Sequence, residues 1–206
     1  MVWATAAVPA AQAQSGFAGA GLGLVVAGGR GVGPGDCLEA PYNLGLGVRG
    51  GVDVVGSALA LQASARTHSW RVGPQCVVDG FPPPDGTYPI DDYQNLTEDR
   101  FALTDVGIRG TLTGVGAGGM IGLAVGNAWR SGPNAPYVMA AAGVFLQVQS
   151  VRLVLGAELY RLRLRFNRFE RTWQGGQVTR NVPLGTVHEW NSAGIVTLGA
   201  ELLLGH

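Results

Sequence analysis

The feature that most constrains this chain is a two-residue alternation of aliphatic residues with small or polar ones. Near the end of the chain, for example, one set is Val196, Leu198, Ala200, Leu202 and Leu204. Successive side chains of a β-strand point to opposite faces, so this period indicates strands with one apolar face. Clusters of glycine, proline and asparagine separate the alternating segments. The pattern predicts eight antiparallel strands, near residues 17–27, 43–55, 59–68, 100–113, 120–130, 138–148, 151–171 and 190–204.

Composition limits what these strands can belong to. No run approaches the roughly 18 to 20 apolar residues of a membrane-spanning helix. Only 14% of the 206 residues are charged and 34 are glycine, whereas a typical soluble domain is about 25% charged. The formal net charge is +0, so the chain lacks the basic surface that holds a nucleic-acid backbone. We therefore expect no nucleic-acid partner.

The less apolar face of the strands indicates which side of the sheet meets water. It is mostly glycine, alanine and serine, with a few charges of both signs. These charges are Arg49, Asp53, Arg66, Asp105, Arg109, Glu158 and Glu201. Such a face is too bare for a water-exposed surface, but in a narrow eight-strand lumen small residues fit and opposite charges pair. The sequence predicts an all-β fold, a closed antiparallel up-and-down barrel, with aliphatic residues outside and a charge network in the lumen. The alternative is a soluble sandwich or lipocalin-like barrel with these charges on its surface.

The predicted connections differ between the two ends of the barrel. Links at about 28–42, 71–98, 131–136 and 171–188 fall at one end, and short links near 56, 114–118 and 149–150 fall at the other. Long external loops with short periplasmic turns are typical of outer-membrane barrels. Aromatic residues near strand ends are predicted to form an interfacial girdle. They are Trp70, Trp129, Tyr137, Trp173 and Trp190.

In this architecture the chain resembles the OmpA/OmpX-type eight-stranded outer-membrane β-barrel family over nearly its whole length, without a diagnostic motif. The resemblance implies a location in a bacterial outer membrane or at the cell surface, with the lipid bilayer as partner. Such barrels usually end in an aromatic residue, whereas this chain ends Leu204-Gly205-His206. An alternative therefore stays open, in which other copies of the chain cover the apolar face in a homo-oligomer or an extracellular filament.

The first residues and the two cysteines are consistent with export. Residues 1–13 are interpreted as the remnant of a signal peptide cleaved after Ala13, which leaves 14–206 as a single barrel domain. Cys37 and Cys76 fall in the first and second long loops, and in an oxidising compartment they are predicted to form a disulfide. Two free thiols are the alternative.

The sequence contains weak candidates for chemistry. His68 with Ser69, and His188 with Glu189, are considered as parts of a rim-located lipid hydrolase, but neither pair has a third member or an oxyanion-hole signal. The acidic residues of the second long loop match no calcium-binding spacing. We therefore predict no catalytic residue, no metal and no cofactor.

The leading functional hypothesis is a non-enzymatic barrel whose external loops carry a structural, adhesive or interaction role. Arg161, Arg163 and Arg165, on an extended seventh strand, are predicted to contact anionic lipid head groups or a partner. The alternatives are a filament subunit, a narrow channel and, least favoured, a rim hydrolase.

Overall fold

The computed structural model describes residues 15–30, 44–70, 85–91, 99–130 and 134–205. These ranges contain nine strands. They are β1 (Gly16–Arg30), β2 (Leu44–Val55), β3 (Leu59–Trp70), β4 (Gly86–Asp91), β5 (Asp99–Thr113), β6 (Ala117–Trp129), β7 (Ala135–Val148), β8 (Val151–Gln174) and β9 (Gln177–Leu204). None of the residues in these ranges belongs to a helix long and apolar enough to span a membrane.

Eight of the strands form a closed antiparallel ring. The order is β8-β7-β6-β5-β3-β2-β1-β9, and the pairing of β9 with β8 closes it. At the level where all eight strands pair, each strand has a hydrogen-bonded neighbour on both sides, which satisfies the backbone without water. The predicted closed eight-stranded up-and-down barrel is therefore confirmed. The short strand β4 lies outside the ring and pairs with β8.

The aliphatic residues face out of the barrel, as predicted. On β8, Leu153 and Leu155 are 56% and 52% exposed, whereas Val154 between them is buried. Most other large exposed side chains are likewise aliphatic residues that point out of the barrel, and most of the predicted lumen charges are buried inside it. The alternative of a soluble barrel with these charges on its surface is wrong.

The outer end of the barrel differs from the prediction of a loop at 171–188. There β8 and β9 continue as a long hairpin that turns at Gly175 and Gly176, both with positive φ, a conformation that glycine adopts without strain. This segment contains Asn181, Pro183 and Gly185, which are turn-forming residues in isolation. In the structure this part of β9 pairs with β8, while its pairing with β1 ends at Asn191. Proline is tolerated where only one side of a strand forms a ladder.

Strand β4 shows that the second predicted loop, 71–98, also contains ordered structure. It pairs with Arg168–Trp173 of β8 and so adds a third strand to the hairpin. The turns at the opposite end are short, near residues 56–58, 114–116 and 149–150. The barrel therefore has one end with short turns and one with a projecting three-stranded sheet.

Candidate functional site

The lumen contains two groups of charged side chains, and the one nearer the chain termini is centred on Glu201. Its Oε1 accepts a hydrogen bond from Arg109 Nη1 at 2.6 Å and forms an ion pair with Arg49, whose Nε lies 2.9 Å away. These residues come from β9, β2 and β5, and Glu201 is only 1% exposed. We name Arg49, Arg109 and Glu201 the inner triad, because it lies nearer the end with the short turns; both triads are inside the barrel. The formal charge of the inner triad is +1, since two arginines share one carboxylate.

The second group has the opposite composition. The guanidinium of Arg66 on β3 pairs with Glu158 of β8, and its Nη2 lies 3.6 Å from Asp105 Oδ2 of β5. The Tyr160 hydroxyl donates to Glu158 at 2.7 Å, and the Tyr137 hydroxyl donates to Asp105 at 2.8 Å. We name Arg66, Asp105 and Glu158 the outer triad. One arginine shared by two carboxylates gives it a formal charge of −1, so the two triads together are neutral.

Glycines on β1, β2 and β9 make room for large side chains in the lumen, those of the triads and of His68. A Cβ atom built on Gly19 would lie 2.8 Å from Glu201 Cγ, and one built on Gly45 would lie 2.2 Å from His68 Nδ1. Real Cβ atoms do not approach other atoms so closely, so a side chain here would displace its neighbour. The glycine content that sequence analysis treated as a sign of a narrow lumen thus corresponds to close approaches in the structure.

Asp53 and Arg152 complete the description of the charges. The structure does not place Asp53 in either triad; it lies at the turn end, where its Oδ2 accepts a hydrogen bond from the Ser15 hydroxyl at 2.8 Å. Arg152 was not among the predicted lumen charges; it is buried, its guanidinium carbon lies 4.6 Å from the centre of the Phe145 ring, and its Nε donates to Gln147. Its inward position could have been predicted, because Arg152 lies six residues before Glu158 and therefore points to the same face of the strand.

Apolar side chains fill both ends of the lumen. At the turn end, two small clusters comprise Phe17, Ala60 and Leu203, and Met120, Phe145 and Val154. At the hairpin end, a larger cluster comprises Val25, Phe101, Leu103, Ala124, Ala128, Ala135, Tyr137, Met139, Tyr160, Leu162, Leu164, Ala193 and Ile195. Between them, beside Arg49, Arg66 and His68, is a cavity of about 30 Å³. That volume accommodates a water molecule or two.

The outer surface changes character along β8. Its outward residues are aliphatic up to Leu159 and then become Arg161, Arg163 and Arg165, all exposed. At the same level Trp190 of β9, opposite Arg163, points outward, and its ring lies 5.2 Å from the Arg161 guanidinium carbon. The predicted interaction residues therefore lie directly above the apolar surface.

The predicted aromatic girdle is only partly present. Trp129 and Trp190 are exposed, whereas Tyr137 is 3% exposed and points into the lumen. Its position on β7 has the inward parity, and its hydroxyl has a buried carboxylate to bind. Trp173 lies on the hairpin beyond the ring, opposite Gly86 of β4. The side chain of Trp70 is outside the described residues.

The residues considered for chemistry are not brought together. His68 is 4% exposed and lies against Gly23 and Gly45 inside the barrel. His188 is exposed on the hairpin, opposite Arg165. Among the residues that the structure describes, no group of His, Cys, Asp or Glu could hold a metal. Cys37, Cys76, the side chain of Glu189 and segment 1–13 fall outside them.

Comparison with known proteins gives similarity in structure alone. No protein-family model matches the chain, and no curated protein matches it in sequence. Among solved structures, Neisserial surface protein A (NspA) aligns at 10% identity with a TM-score of 0.50, covering 91% of this chain and 96% of that chain.

Two other solved structures align with lower scores. Ail, the attachment invasion locus protein of Yersinia pestis, in complex with the heparin analogue sucrose octasulfate, is 9% identical, with 93% and 99% of the two chains covered and a TM-score of 0.43. A major outer membrane protein from Thermus thermophilus is 12% identical, with 93% and 100% covered and a TM-score of 0.44. The closed ring and the neisserial likeness confirm the architectural resemblance: this chain has the eight-stranded antiparallel β-barrel fold of a neisserial surface protein.

Proposed function

We propose that this protein is a non-enzymatic barrel of a bacterial outer membrane, which holds its external loops and the β8–β9 hairpin at the cell surface for an adhesive, structural or other interaction role. The observation that carries the proposal is that the barrel has its apolar face outside and its charged residues inside. Its outward face is aliphatic while the two charged triads are buried inside. In water this arrangement would expose a large apolar surface, whereas lipid covers it at no cost.

The dimensions of the apolar surface support the same environment. On β8 the outward aliphatic residues extend from Val151 to Leu159. Nine residues of a strand span roughly 30 Å, and a tilt of about 40° reduces this to roughly 23 Å of height. The apolar band of outer-membrane barrels is about 25 Å tall. We name the outward aliphatic residues at this level the apolar belt.

The filled lumen supports a role at the surface and not in transport. Apolar clusters fill both ends of the lumen, and ion pairs cross its middle. A hydrated solute therefore has no continuous path along the lumen that the described residues form. What remains for contact with other molecules is the external end, where the strands project farthest. The proposed interaction role therefore belongs to the hairpin and the loops beside it.

Two measurements test the proposal. The native protein should fractionate with the outer membrane, require detergent for extraction and migrate differently on a gel before and after boiling, because a closed barrel resists unfolding until it is heated. In planar bilayers the folded protein should give no discrete conductance steps. Recovery outside the cell envelope as ordered filaments under the electron microscope, or reproducible single-channel currents, would contradict it.

A third measurement tests the absence of catalysis. The folded protein should release no fatty acid from phospholipid. If it does, and if His68→Ala or His188→Ala abolishes the release, the protein is a rim hydrolase and the proposed function is wrong.

A further inference from the structure

Three arginines form a line on the outer surface of the barrel. Arg161, Arg163 and Arg165 occupy successive outward positions of β8, so their Cα atoms are spaced by roughly 7 Å. The line begins at the first outward position beyond Leu159, the last residue of the apolar belt on this strand. We name these three residues the arginine ladder.

The arginine ladder carries three positive charges. Among the residues whose side chains the structure describes, none of its three guanidiniums forms an ion pair with a carboxylate. The residues opposite them on β9 are Ser192, Trp190 and His188. The Arg130 guanidinium, just beyond β6, donates to the Arg165 carbonyl at 3.0 Å.

The inward residues show that this charge is not required by the fold. Leu162 and Leu164, which alternate with the arginines, are fully buried in the apolar cluster that closes the lumen. Any polar residue would serve on the outward face, yet all three positions hold the residue whose planar fork binds phosphate oxygens in pairs.

From this placement we infer that the arginine ladder, with Trp190, is a binding site for the phosphate groups of anionic membrane lipids. This inference rests on the proposed function. Lipid phosphates lie at the boundary between hydrocarbon and water, which is the level of the first residue beyond the apolar belt. The Trp190 ring, stacked near Arg161, is amphipathic and suits the same boundary.

A lipid phosphate fits better than a soluble anion or an acidic protein. A ligand that remained in water would be bound equally well by arginines farther out on the hairpin, such as Arg180, which is also exposed. The ladder instead follows the belt without a gap and on the same strand face. A lipid whose acyl chains contact Leu159 would place its phosphate beside Arg161, and a second phosphate beside Arg163 or Arg165.

The test uses the full chain folded into phosphatidylcholine vesicles that contain phosphatidic acid with brominated acyl chains. Bromine quenches tryptophan emission on contact, so quenching measures the affinity of phosphatidic acid relative to phosphatidylcholine, and Trp190 reports from the ladder itself. Each arginine near an anionic lipid surface contributes about fivefold in affinity. We expect a preference of at least fivefold, reduced to about one in the triple variant R161Q/R163Q/R165Q.

Matched controls separate this site from general charge. The double variant R171Q/R180Q removes two arginines from the hairpin beyond the ladder and should retain the preference. Inorganic phosphate, compared with chloride at equal ionic strength, should not displace the brominated lipid. Equal losses in the two variants, or selective displacement by inorganic phosphate, would overturn the assignment to lipid.

Gel migration before and after boiling distinguishes the two levels of the proposal. If the wild-type chain does not fold into vesicles, the proposed function fails and this inference fails with it. If the chain folds but shows no preference for phosphatidic acid, only the lipid-binding site is wrong and the barrel proposal stands.

Discussion

The two halves of strand β8 place opposite kinds of side chain on the same faces. Below Tyr160 the strand has Leu153 and Leu155 outside and Glu158 inside, whereas above it the strand has arginines outside and Leu162 and Leu164 inside. The parity of the strand does not change between the halves. Under the proposed function, what changes is the surrounding solvent: the lower half has lipid outside, whereas the upper half has the apolar interior and charged exterior of a protein in water.

The difference also applies to what stabilises each half. In the upper half, burial of Leu162 and Leu164 supplies about 1.5–3 kcal/mol per side chain in the ordinary hydrophobic manner. In the lower half, the interior combines two small apolar clusters with the ion pairs of the triads, and these ion pairs stabilise little in themselves but are costly to break. Four substitutions test this contrast, taken from the largest expected effect to the smallest.

The largest effect is expected when the inner triad loses its carboxylate. Glu201→Gln keeps the shape of the side chain but leaves the buried Arg109 and the partly buried Arg49 together without a counter-charge. Breaking a buried pair from one side costs about 3–5 kcal/mol, measured as the free energy of unfolding by urea in vesicles. The control is Glu170→Gln on the hairpin, where a surface change should remain within about 0.5 kcal/mol. Equal losses in the two variants would show that the lumen charges do not support the lower half.

The upper half should respond to the loss of an inward leucine. Leu164→Ala removes a side chain that is 0% exposed and leaves a cavity in the apolar cluster. Such truncations cost about 2–5 kcal/mol of unfolding free energy. Arg165→Ala, on the adjacent outward position, should cost less than about 0.5 kcal/mol. If the arginine variant were the less stable of the two, the upper half would not have the water-facing order described above.

An arginine, the outward residue of the upper half, should be unfavourable on the outward face of the lower half. Leu155→Arg places a charge near the middle of the apolar belt, and an arginine at the bilayer midplane costs about 2–4 kcal/mol. Leu159→Arg, at the edge of the belt, should cost about 0–1 kcal/mol because the side chain reaches the interface. The measurement is unfolding in vesicles. Equal costs at the two positions would mean that the belt does not lie in lipid as proposed.

The smallest effect concerns the space that glycine leaves inside the wall. A Cβ at Gly45 would lie 2.0 Å from the Thr67 carbonyl oxygen and 2.2 Å from His68 Nδ1. Gly45→Ala should therefore cost about 1–3 kcal/mol through overpacking. Gly50→Ala is the outward control on the same strand, with its nearest contact at 3.4 Å. Thermal denaturation should place the two variants in that order, and a reversed order would contradict a tightly filled lumen.

Much of the barrel could be predicted because strand parity is a local property. Whether Leu155 and Glu158 face opposite sides depends only on the number of residues between them, and the bare, sparsely charged face indicated which side is inside. The same rule would have identified Arg152 and the inward position of Tyr137. The hairpin at 171–188 was missed because Asn181, Pro183 and Gly185 are turn-forming in isolation, and only their pairing with β8 makes them a strand.

The sequence by itself determined the alternation, the direction in which each charge points and the row of arginines beyond Leu159. The tertiary structure alone decided which charges meet, since Glu201 binds Arg49 and Arg109 from strands β2 and β5, far from it in the chain. It also decided that Leu162 and Leu164 join the apolar cluster that fills the hairpin end of the lumen. The physical reason is that parity follows from the geometry of one strand, whereas contacts across a lumen depend on the register and closure of all eight.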